Sequence, residues 1–239
     1  MTVNTQALLL AASRAPSAHN TQPARWQFLP QGLRLFEDPQ RSLPVADPTG
    51  RDQGVALGAA WEAMHLACAS QGLRLGEPQP SSAAPSPQAW RPVMEAEWSP
   101  GADPDPLAGR VPDRFSYRGK FTKARPELAE ALRAWLPGQA GFFLLTGTAV
   151  LAEMAELYDR TALSFMADPA YHHELLQWLR LDPGAPAYQR DGLNAEAMAL
   201  SAPERWAAKL LLQPEPFGVL RKLGLGGLVV TEAAQTRSS

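Results

Sequence analysis

Ser17, His19, Asn20 and Gln22 fall within one short stretch bracketed by Pro16 and Pro23. Proline restricts the backbone and removes an amide donor. The segment is therefore constrained while a hydroxyl, an imidazole and two carboxamides stay available to a ligand. That combination is how a ligand-binding loop is built. Pro, Ser and Asn are also the residues of an ordinary helix-to-strand turn, and residue type alone leaves both readings open.

A second group stands at Arg114-Phe115-Ser116-Tyr117-Arg118-Gly119-Lys120-Phe121. Guanidinium forks match phosphate oxygens, and a serine adds a hydroxyl and an amide. Residue spacing equally allows a solvated basic turn with Phe115 and Phe121 tucked inward.

The surrounding pattern supplies elements that position these groups. Residues 3–14 read as a helix ending before Pro16, and 25–29 and 33–37 as strands joined at Pro30-Gln31-Gly32. Asp47-Pro48-Thr49-Gly50-Arg51-Asp52 leads into a helix over 52–72, apolar on nearly every face and closed by Gly72. His65 on that helix reads as a core histidine. A strand is expected over 89–98, a helix over 126–136 and a short buried strand at Phe142–Leu145. Thr148 is placed to cap a helix over 149–167, with Leu151, Met154, Leu157, Tyr158 and Phe165 as its inner stripe. Further helices are expected at 170–180, 194–200, 203–212 and 216–223, then an apolar run, Leu225–Val230. Strands separated by helices indicate an α+β fold, with helices packed on a sheet. The expected division is 1–100 and 101–239.

The chain has 239 residues, 45% hydrophobic and 19% charged, with a net charge of −2. These values suit one large domain or two small ones. They give no electrostatic footprint for nucleic acid or an anionic membrane. No apolar run reaches the length of a membrane span, and no signal-peptide pattern opens the chain. The lone cysteine, Cys68, sits in an apolar helical run, which points to a buried thiol and a reducing cytoplasm. Adjacent His172 and His173 project to different helix faces and no cluster completes a metal shell, so no metal site is expected. No Ser-His-acid set assembles, and no catalytic protein nucleophile is assigned.

The Pro16–Pro23 segment resembles the A-P-S-x-H-N-x-Q-P-W loop of the nitroreductase superfamily, and Arg114–Phe121 is similar to its R-R-S-x-R-x-F segment. The order of the two motifs, with Tyr171-His172-His173-Glu174 and Trp178, resembles the large single-chain branch of mycobacterial Acg-type NAD(P)H nitroreductases. Two positions depart from the pattern: Ala24 stands where the family has Trp, and Phe115 where it has a second basic residue.

Asp47–Asp52 with Gly58-Ala59 is similar to the D-x-x-G-R-E…G-A stretch of that branch, which implies a helix entry and a close backbone approach. The resemblance implies a nitroreductase-like fold, with helices packed around a mixed, mainly antiparallel sheet, binding FMN. Pro16, Ser17, Asn20 and Gln22 would lie along the flavin edge, and Arg114, Ser116 and Arg118 would hold the phosphate. His172 would touch substrate or belong to a lid-like helical segment. It implies electron transfer from NAD(P)H to a nitroaromatic- or quinone-like acceptor. The same residues would serve a flavin-binding or flavin-storing protein without turnover, or an inactive relative. Against the large branch the sequence is shorter at its C-terminus. The expectation is an incomplete sheet whose edge a homo-oligomer would cover.

Overall fold

The computed structural model describes residues 3–119, 125–138, 140–145 and 147–227. Asn4 starts the first helix, α1 (Thr5–Ser13): its Oδ1 accepts from the amide of Ala7 at 3.0 Å, satisfying one of the open donors at the helix start. The second helix, α2 (Arg51–Ser70), begins where Asp47 Oδ2 accepts from the amide of Gln53 at 2.9 Å. It stops just before Gly72, whose φ of 73° is the left-handed value expected beyond a helix end.

The strands of the larger sheet are β1 (Ala24–Leu29), β2 (Gly32–Glu37), β3 (Leu73–Leu75), β4 (Gln79–Pro80) and β5 (Arg91–Pro100), and two short strands, Leu179–Arg180 and Leu193–Asn194, pair separately. The larger sheet runs in the order β1-β2-β5-β3, with β4 also on β5, and every pairing in it is antiparallel. Leu33 stands opposite Phe28 and Ala96, and Leu35 opposite Trp26 and Met94. Residues two apart share a sheet face, and here Leu33 and Leu35 join Leu8, Leu57, Trp61, Met64 and Cys68 in one core. Helices α1 and α2 thus cover the sheet, which makes the fold α+β. At Gly32 an added Cβ would lie 2.4 Å from the carbonyl oxygen of Ala96, so the strand pair closes only over glycine. Burial pushes the Cys68 thiol up to about 11.

Two details of this region differ from expectation. His65 is not in the core: its side chain is 45% exposed and lies 3.6 Å from Glu62. Gly58 faces open space, with nothing within 4 Å of where a Cβ would stand, so its smallness serves no close approach.

The described chain divides into two compact units. The first comprises the residues up to Ser116 together with Gly184–Leu193, and the second those of 117–183 and from Asn194 onward. The second unit is mainly helical: α3 (Pro126–Trp135), α4 (Thr148–Ala167), α5 (Pro169–Trp178), α6 (Ala202–Leu211) and α7 (Pro214–Lys222). Asp168 caps α5 through the amides of Ala170 and Tyr171, and Ser201 with Glu204 forms a capping box on α6. Its buried cluster is Met166 and Phe217, flanked by Ala162, Leu163, Tyr171, Leu175 and Leu212.

Several expectations fail in this unit. Phe142–Leu145 is not a strand and not buried: Phe143 is 90% exposed, and no neighbouring strand is present among the described residues to pair it. Leu151, Met154, Leu157, Tyr158 and Phe165 are exposed rather than forming an inner stripe. Gly147, not Thr148, takes the N-cap position of α4. Residues 194–200 form turns instead of a helix, because Asn194 Oδ1 takes the amide of Ala197 at 2.8 Å and Ala199 adopts a φ of 55°. Lys120, Phe121, Leu228–Val230 and the polar tail lie outside the described residues.

Candidate functional site

The loop between α1 and β1 holds an uncommon backbone. His19, Asn20 and Gln22 have φ of 49°, 53° and 51°, left-handed values that cost non-glycine residues free energy unless the surroundings over-determine them. Local bonds make the first contribution. The amide of Asn20 donates to Ser17 O at 2.9 Å, that of Thr21 to Ala18 O at 3.0 Å, and that of Gln22 to Ser17 Oγ at 2.9 Å. Ser17 therefore shapes the loop through its hydroxyl, and Pro16 precedes it at the exit of α1.

Guanidinium groups cap the loop's carbonyls. Arg25 Nη1 donates to Gln22 O at 2.9 Å and Ala24 O at 2.8 Å, while its Nη2 meets Asp38 Oδ2 at 2.8 Å. Arg41 Nη1 donates to Thr21 O at 2.8 Å. Burial, then the neighbouring Arg41 charge, draws the Arg25 pKa down, while Asp38 opposes the shift.

The remaining contacts come from far along the chain. Asn20 Nδ2 donates to Gly192 O at 3.1 Å, and Gln22 Nε2 donates to Arg190 O at 2.9 Å and to Asn20 Oδ1 at 3.2 Å. The amide of Gly192 donates to Asn20 O at 3.2 Å. Asp191, buried, receives both Nη groups of Arg41 at 3.3 Å and Nε of Arg190 at 3.1 Å. Segment 184–193 is thus a strap laid on the loop. Residue patterns single out neither Arg41, Asp38 nor Asp191. The one available signal is the Asp191-Gly192 turn pair.

Beside the loop lies a cavity of about 220 Å³ lined by Ala12, Pro16, Ser17, Ala24, Trp26 and Ala60, among others. Ala24 is one of its walls. Arg114 sits close to the loop's approach: its Nε donates to Arg14 O at 2.8 Å, and Arg14 Nη1 reaches Pro112 O at 3.4 Å. Ser116 ends the continuous part of the first unit, whereas Arg118 belongs to the second, where its Nη1 lies 3.4 Å from Ala197 O. His172, also in the second unit, is buried. Its Nε2 is 2.7 Å from Leu212 O and its ring meets Phe217 edge-on at 5.0 Å. The structure therefore gathers Pro16, Ser17, Asn20 and Gln22 in one loop, and holds His172 inside a helical cluster. Among the described residues no group of three or more His, Cys, Asp or Glu side chains is placed to hold a metal ion. No helix among them is long and apolar enough to cross a membrane.

No protein-family model matches the chain. Two curated relatives from Mycobacterium tuberculosis, "Putative NAD(P)H nitroreductase Rv3131" of strain H37Rv and "Putative NAD(P)H nitroreductase MT3217" of strain CDC 1551, are each 45% identical to it over 65 residues. Part of this chain is therefore similar to part of proteins named as NAD(P)H nitroreductases. The match takes in 27% of the chain and 19% of each relative, so it spans about a fifth of their length. "Putative NAD(P)H nitroreductase acg" from the same organism is 39% identical over 61 residues, covering 26% of this chain and 18% of the relative.

Proposed function

We propose that the chain binds FMN and passes electrons from NAD(P)H to a nitroaromatic- or quinone-like acceptor, on a nitroreductase-like fold. The observation that carries this reading is the loop: left-handed backbone at Asn20 and Gln22, held from several sides, aims two carboxamide donors at carbonyl oxygens. Carbonyl oxygens are the acceptors that the polar edge of a flavin presents, so the donor set fits the cofactor. When bound, FMN supplies the hydride and electron chemistry, and the protein supplies orientation and hydrogen bonding.

In this reading Asn20 and Gln22 donate to the ring edge while Ser17 and Pro16 fix the loop. The phosphate is assigned to Arg114, Ser116 and Arg118, which fall within five consecutive residues. No proton-transfer role is given to His172, whose ring is taken up by Leu212 and Phe217. The mycobacterial relatives, named as NAD(P)H nitroreductases, support the donor and the reaction class.

Purification tests the reading directly. A yellow protein bleached by NADPH and reoxidised by a nitroaromatic is the expected result. A yellow protein that resists NADPH would mean flavin storage without turnover. A colourless protein that gains no bound flavin on FMN titration sinks both. Arg118→Ala should weaken FMN binding at least tenfold relative to Arg133→Ala, an exposed position on α3. Equal affinities would remove Arg118 from the phosphate site.

A further inference from the structure

Gln22 has no donor left for a ligand. A carboxamide carries two hydrogens, and those of Gln22 Nε2 go to Arg190 O and Asn20 Oδ1. Asn20 gives one of its own to Gly192 O and receives the amide of Gly192 at its carbonyl. The strap thus meets the loop with main-chain carbonyls, the same acceptor chemistry proposed for the flavin edge.

The strap is held by buried apolar side chains, Tyr188 and Leu193, and beside them by an ion pair. Asp191 is only 4% exposed, and a buried carboxylate is costly unless charged and polar partners surround it. Arg41 meets it with two nitrogens while also binding Thr21 O and standing 3.6 Å from Asp38. One guanidinium therefore ties the strap, the loop and the end of β2 together. Gly192, at a φ of 74°, lets the main chain turn past Asn20 at a backbone angle that side chains resist.

We propose that Arg190–Gly192 is a built-in occupant of the loop. Its carbonyls take one donor each from Asn20 and Gln22 that a flavin would take, and the Arg41–Asp191 pair is the polar latch that helps to keep it there. Binding of flavin and docking of the strap are then mutually exclusive, and breaking the latch strengthens flavin binding. This rests on the flavin reading of the loop.

Hydrogen–deuterium exchange on the full wild-type chain gives the deciding test. Saturating FMN is expected to speed exchange across 184–193 at least tenfold. Asp191→Asn and, independently, Arg41→Gln are expected to speed it without FMN, to expose the bond after Arg190 to trypsin, and to lower the Kd for FMN several-fold. Circular dichroism shows whether each variant is folded, and the wild-type measurement stands whether or not they are. FMN binding with exchange across 184–193 unchanged or slowed overturns the proposal alone. So does weaker or unaltered FMN binding by folded variants whose strap has loosened. Failure of wild type and variants alike to bind FMN removes the flavin reading, and this proposal falls with it.

Discussion

The two units bury apolar surface very differently. In the first, Leu8, Leu33, Met64 and Cys68 are fully buried between two helices and an antiparallel sheet. In the second, the described buried cluster is Met166 and Phe217, while Leu128, Leu132 and Trp135 on α3 and Leu151, Met154 and Leu157 on α4 stay exposed. Both carry apolar residues at helical or strand spacing, so pattern does not separate them. The first has a sheet for its helices to cover. The second has regular helices, two of them with side-chain caps, and several of their apolar residues are uncovered among the described residues. Capping and propensity form a helix; only a facing layer makes its stripe a core.

Met64→Ala in the first unit should break this contrast most visibly, costing about 2–5 kcal/mol through lost burial and the cavity left behind. Urea unfolding followed by circular dichroism measures it, and a loss below about 1 kcal/mol would deny that the unit has a packed core. Next comes a pH effect. The Cys68 thiol is raised from its ordinary value of 9.0 to about 11 in the fold, so above pH 9 the unfolded chain loses this proton while the folded chain keeps it. Its stability contribution is full below pH 9 and falls by about 2–3 kcal/mol as pH rises to 11. Cys68→Ala should flatten that part of the stability–pH curve. Gly32→Ala, which drives a methyl toward Ala96 O, should cost about 1–3 kcal/mol in the same urea assay. Leu157→Ala, in the second unit and 54% exposed, is expected to shift stability by less than about 0.5 kcal/mol. A loss matching that of Met64→Ala would mean α4 is covered in solution.

Much of the first unit is legible in the sequence because its signals are local. Alternation through Leu33 and Leu35 marks β2, and Gly72 marks the end of α2. Periodicity also locates α4, yet it cannot say whether Leu151, Met154 and Leu157 find a neighbour, since that depends on residues elsewhere. Phe142–Leu145 reads as a buried strand only if another strand lies beside it. Over 194–200 helix-forming residues dominate the pattern, but the Asn194 side chain bonds its own turn and prevails. The loop shows through its residue types, Pro16 to Pro23. The Arg41–Asp191 pair does not, as its partners are 150 residues apart and neither stands in a distinctive motif. Its importance follows only from the backbone it holds.

The strap gives this molecule an order of assembly. During translation the sheet and its two helices can form once β5 and the residues just after it have left the ribosome, but Gly192 reaches Asn20 across 172 positions of sequence. Chain-closure entropy rises only logarithmically, so that span costs about 2 kcal/mol more than one of roughly 16 residues. The delay is therefore one of timing more than of stability. Until residue 193 has left the ribosome, the nascent chain carries a nearly finished scaffold whose loop still has the strap-facing donors of Asn20 and Gln22 open to solvent.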